Sequence, residues 1–86
     1  MNTPGFWTAE TGGELAPAVR HYVAGATLTE REIQLMKAYL QQWTDSPMWF
    51  PSEDLEQLRL RVQLIETEGD IHYCVAILVE LNMDPL

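Results

Sequence analysis

The chain has 86 residues, 47% of them hydrophobic, and its 13 acidic against 5 basic residues give a formal net charge of -8. That length bounds it to one small domain of modest stability, and the apolar share is too high for a disordered chain. No apolar run approaches the ~20 residues of a membrane span, and so negative a charge repels nucleic-acid phosphates and anionic lipid.

Residues 1–13 hold Pro4, Gly5, Gly12 and Gly13 without periodicity and read as an extended, irregular N-terminal tail, with Phe6 and Trp7 as two aromatics in need of a docking place. The opening lacks the basic and apolar regions of a signal peptide, and a lone cysteine, Cys74, leaves no internal disulfide. The cytoplasm is the expected compartment.

A first helix is expected in ELAPAVRHYVAG, with Pro17 in its first turn, Val19, Tyr22 and Val23 on one face, and Gly25 as a left-handed stop. The second helix carries the clearest signals. Thr29 and Glu32 form a capping box, Leu28 and Ile33 a hydrophobic staple, and Ile33, Met36, Leu40 and Trp43 recur at helical spacing with Tyr39 beside them. It fades at TDSP, because the residue before Pro47 avoids the helical region.

The third helix starts after Ser52, an N-cap followed by Glu53 and Asp54. Leu55, Leu58, Val62 and Ile65 form its main stripe, Leu60 and Leu64 lie on nearly the opposite side, and Gly69 is its expected end. The fourth, DIHYCVAILVELNM, takes Asp70 as N-cap, buries Ile71, Cys74, Val75, Leu78 and Leu81, closes at Asn82, and reads as the most buried element. No segment alternates with the period of a strand. The fold class is therefore all-α: a compact bundle of three to four short helices over residues 14–86, preceded by the tail over 1–13.

Reactive groups point away from an enzyme and from any cofactor. His72 and Cys74 stand two apart on a helix and do not share a face, so they cannot grip one metal. Cys74 falls on an apolar face, where a thiol is packing rather than nucleophile. Glu66, Glu68 and Asp70 surround a turn without the alternating oxygen ligands of a calcium loop.

LTEREI, residues 28–33, resembles the opening of the helix-turn-helix of LuxR-type transcription regulators. N-cap physics alone accounts for those letters, and the basic recognition helix is missing, Lys37 being the one cation from 32 to 58. No direct nucleic-acid contact is expected. Across residues 28–86, LTEREIQLMKAYLQQWTDSPMW followed by GDIHYCVAILVELNMDPL resembles a group of small bacterial and phage-associated helical proteins to which no function is attached. That likeness supplies no functional residues.

The connector DSPMWFPSEDL carries Met48, Trp49 and Phe50 where connectors are ordinarily polar. Met48 and Phe50 are expected to fold inward as a lid, leaving Trp49 outside. Trp49, Leu60 and Leu64, with Leu35 and Trp7, are then the candidate partner-binding residues. The expected function is a non-enzymatic protein–protein interaction module. In its concrete form it is a small acidic phage or mobile-element inhibitor of a basic, nucleic-acid-binding host protein. The alternative is a homodimer or homo-oligomeric structural subunit of a larger assembly.

Overall fold

The computed structural model describes residues 9–85, with side chains described from residue 13 onward. Four helices follow one another: α1 (Ala9–Val23), α2 (Glu30–Thr44), α3 (Glu53–Gln63) and α4 (Glu68–Glu80). The all-helical bundle is as the sequence implies. Its centre is α2, which packs on each of the other three helices, while α3 also packs on α4. This corrects the expectation for α4, whose outer side exposes His72, Tyr73, Ala76 and Val79. Uniform apolarity along a helix does not fix its depth, because small domains leave much apolar surface in water.

Each helix end has a visible cause. Thr29 accepts a hydrogen bond from the Glu32 amide while Glu32 accepts from the Thr29 amide, and Leu28 and Ile33 both join the core cluster beside this box. Ser52 accepts from the Leu55 amide at 3.1 Å. Gly25, at φ +77°, closes α1: its amide bonds the Tyr22 carbonyl, and that of Ala26 bonds the His21 carbonyl. Asn82, at φ +59°, repeats the same motif after α4, with its amide on Val79 and that of Met83 on Leu78.

Two boundaries differ from the sequence reading. α1 begins at Ala9 rather than Glu14, so Gly12 and Gly13 are helical and Pro17 lies inside the helix instead of in its first turn. Pro17 leaves the Gly13 carbonyl without its helical donor. Glu14 pairs with Arg31 at 2.9 Å, and Ala18 is fully buried, which ties α1 to α2 despite weak intrinsic propensity. α4 begins after Thr67, not Asp70, and Gly69 opens this helix rather than closing α3, which ends at Gln63. Asp70 is the third residue of a second capping box. Its carboxylate accepts from the Glu66 and Thr67 amides at 2.9 and 3.0 Å.

Those amides hold the Asp70 carboxyl below its ordinary value of 3.8, and the Thr29 amide with His21 does the same for Glu32, whose ordinary value is 4.5. A depressed carboxyl adds stability that is complete above its unfolded value and is lost as pH falls through the lower folded one. Urea midpoints measured from neutral pH down to about pH 3 should therefore drop below the carboxylate range. Asp70→Asn should make that drop shallower; an unchanged acid limb would mean that the box carries no charge-dependent stability.

The core gathers Met36 and Leu40 of α2, Leu55, Leu58 and Val62 of α3, and Ile71, Cys74 and Leu78 of α4, with Leu28, Ile65 and Met83 at its ends. Leu35 is 1% exposed. It sits one turn after Arg31, which pairs with Glu14 of α1, and it lies outside the core cluster that α2 shares with α3 and α4. Leu35 is thus removed from the partner-binding candidates: a residue off the main stripe of α2 belongs to a second buried face. Among the described residues no helix is long and apolar enough to cross a membrane.

Candidate interaction surface

The connector after α2 is built around tryptophan. A helix leaves its last carbonyls without regular helical partners, and at the end of α2 two side chains add to the turn amides of Asp45 and Ser46, which bond Gln41 and Trp43. Arg59 donates its Nε to the Thr44 carbonyl at 3.0 Å, and Trp49 donates its indole Nε1 to the Trp43 carbonyl at 2.8 Å. The Trp49 ring meets that of Trp43 edge-on, with centroids 5.3 Å apart, and Tyr39 stacks on Trp43 at 6.5 Å. Trp43 in turn donates its own Nε1 to the Met83 carbonyl at 2.8 Å, and Tyr39 donates its hydroxyl to the Pro85 carbonyl. Three aromatics thereby clasp the connector and the C-terminal segment onto α2. Burial, aided by the Asp84 carboxylate, raises the Tyr39 hydroxyl above its ordinary value, so it remains a donor.

This arrangement reverses the expected lid. Trp49 packs against the core, whereas Met48 is 63% and Phe50 90% exposed. The connector turns at 46–49, where the Trp49 amide bonds the Ser46 carbonyl at 3.3 Å, and the turn brings the Trp49 ring back to the end of α2. The indole N–H decides, because it has a carbonyl to satisfy at the end of α2, and a phenylalanine offers no such bond. Pro47 and Pro51 bracket the exposed pair and restrict its backbone.

Of the other candidates, Leu60 is exposed on α3, and Leu64 is exposed as its C-cap, beside a hollow lined by Arg61, Asp70 and Tyr73. Trp7, with Phe6, lies outside the described residues. The structure therefore leaves Leu60 and Leu64 exposed, withdraws Leu35 and docks Trp49. Sequence reasoning missed Met48 and Phe50 as surface groups. Tyr73, off the main apolar face of α4, is half exposed and carries the Arg61 guanidinium 4.8 Å from its ring centre.

The polar residues weighed for chemistry have structural partners. His72 stacks on Tyr22 of α1 at 4.7 Å and lies 3.7 Å from Glu68. Glu68 also accepts the Leu28 amide at 2.9 Å, joining the α1–α2 connector to the start of α4. His21 is hydrogen-bonded to Glu32. Cys74 is buried, and desolvation, with Asp70 nearby, raises its thiol further from the thiolate despite opposition from Arg61. Among the described residues no group of three or more His, Cys, Asp or Glu side chains is placed to hold a metal ion.

No protein-family model, curated protein or solved structure matches this chain.

Proposed function

We propose that the protein is a non-enzymatic protein–protein interaction module, docking through large apolar side chains that a stiff connector and the outer side of α3 hold in water. Phe50 carries this reading. It is 90% exposed, next to a tryptophan anchored by a hydrogen bond and a ring contact. An aromatic side chain held out by a fixed frame loses little freedom on binding, which makes it an efficient anchor. Met48, Leu60 and Leu64 supply further apolar contact, and the acidic charge of the chain speeds encounter with a basic partner and penalises wrong ones. In its concrete form the protein is a phage or mobile-element inhibitor that occupies the nucleic-acid channel of a basic host protein in the cytoplasm. The net charge of -8 supports that version.

Photo-crosslinking from position 50 in the source cells, followed by affinity measurement with the captured protein, tests this. The Met48→Ser/Phe50→Ser variant should lose at least roughly thirtyfold in affinity, the effect of one hot-spot residue. It should keep its stability within about 0.5 kcal/mol, as surface changes do. Affinity should also fall steeply with salt. Equal affinity of variant and wild type would remove the reading.

A homo-oligomer is the second reading, favoured by the charge gradient of α3. This helix has Glu53, Asp54 and Glu56 in its first turn and Arg61 in its last, with Leu60 and Leu64 exposed. A second copy lying antiparallel would set acid against base. Light scattering that shows a monomer at high concentration would remove it.

A further inference from the structure

α1 is the helix least able to stand alone. It contains Gly13 and Pro17, both poor helix formers, and Pro17 leaves the Gly13 carbonyl without its helical donor. Isolated helices of about this length are marginal in water even with good formers. Contact with the rest of the protein therefore holds α1 in place.

That contact is narrow. α1 lies beside α2 and beside no other helix, whereas α2, α3 and α4 all pack on one another. Glu14 pairs with Arg31, His21 with Glu32, and the Tyr22 ring stacks on His72 of α4. In each of these ties one partner is about half exposed: Arg31, His21 and His72. Exposed ion pairs contribute little to stability. Leu15, Val19 and Tyr22 are only partly buried against the core.

The best-buried part of the contact is separate from the core. Ala18 of α1 and Leu35 of α2 are both buried, and both lie outside the cluster that joins α2, α3 and α4. Leu35 stands one turn on from Arg31 and Glu32, which pair with Glu14 and His21, so it faces the same neighbour. The chain between the two helices supplies a hinge. Gly25 sits at φ +77° with nothing within 4 Å of where a Cβ would stand. Three residues on, Leu28 is buried in the core and its amide donates to Glu68 of α4 at 2.9 Å. Motion of α1 is therefore absorbed before Leu28.

We propose that α1 is a releasable strap. It opens as a unit, with its hinge at 24–27, while α2, α3 and α4 stay folded, and its release uncovers the Leu35 side of α2. The closed chain hides an apolar face that the open chain presents. This device goes beyond the interaction-module reading and is independent of Phe50, which the connector after α2 holds.

Native-state hydrogen exchange of the full chain, followed by NMR across low urea concentrations, reads the opening. The amides of 19–23 are expected to share one urea-dependent opening constant, at least roughly tenfold larger than that of Met36, Leu40, Leu58 and Leu78. A Cβ at Gly13 meets nothing within 4 Å, so Gly13→Ala should lower the α1 constant roughly fourfold. Val62→Ala weakens the core on α3, which α1 does not touch. It should raise the constant of the core amides roughly tenfold and leave that of α1 unchanged, because the open chain keeps its core. Leu35→Cys supplies a second readout, with the core thiol of Cys74 as reference in the same sample. A thiol reagent should modify position 35 at least roughly tenfold faster than Cys74.

One opening constant for α1 and the core, or equal modification of positions 35 and 74, would mean that α1 leaves only when the whole chain unfolds, and would overturn the proposal. So would a rise in the α1 constant in Val62→Ala equal to that of the core. Exchange of the α1 amides one by one, without urea dependence, would reduce the opening to fraying of a helix end and overturn it too.

Discussion

Trp43→Ala is expected to lower the unfolding free energy by about 3 kcal/mol, at the lower end of the cost for large aromatic truncations because the ring is only partly buried. More is lost than packing. Trp43 touches Tyr39 and Trp49, and its Nε1 holds the Met83 carbonyl. A chain of this size has about 4–13 kcal/mol in total, so the variant should melt far earlier in urea. Amide exchange should rise first over 45–51 and 82–85, the two segments that the aromatic clasp holds. Trp43→Phe keeps a ring and loses the donor, leaving the Met83 carbonyl unpaired, and should cost about 1 kcal/mol. A loss below about 1 kcal/mol for Trp43→Ala would show that the clasp contributes little beyond surface contact.

Leu40→Ala is expected to cost about 3 kcal/mol, with a measured range of roughly 2–5 for this change in a core. Leu40 is fully buried on α2, the helix that touches all others, and shares the core cluster with residues of α3 and α4. Truncation there leaves a cavity that three helices must close together. The same change at Leu60, which is 61% exposed, should alter stability by no more than about 0.5 kcal/mol. Parallel urea titrations of the two variants decide the matter. Similar costs at both positions would contradict the burial pattern.

Much of the helical layout was readable along the chain. The box at Thr29 and Glu32, the cap at Ser52 and the left-handed stops at Gly25 and Asn82 depend on residues within one turn of each other, so local chemistry suffices. The true start of α4 was equally local: Thr67-Glu68-Gly69-Asp70 has the capping-box spacing, and glycine between the two partners disguised it. The early start of α1 was not local in this sense, because two glycines and a proline argue against a helix that contact with α2 helps to hold.

The surface was less legible. Leu35 and Leu60 both stand off their helices' main stripes, yet one is buried and the other exposed. Periodicity reports how many apolar sides a helix has, and only a neighbour can cover the second one. α2 has that neighbour in α1; the outer side of α3 has none among the described residues. In the same way, Trp49 and Phe50 are adjacent aromatics with opposite fates, separated by an indole N–H that finds a carbonyl six residues back.

By itself the sequence determined four amphipathic helices, most of their caps, the apolar stripes that form the core and a strongly acidic surface. These follow from residue type and from spacings of three and four. Tertiary structure decided which helix is central, which second faces are covered, and which member of the Met48–Trp49–Phe50 run turns inward. Those outcomes depend on groups far apart in sequence competing for the same buried carbonyls and apolar surface, and no local pattern encodes the result of that competition.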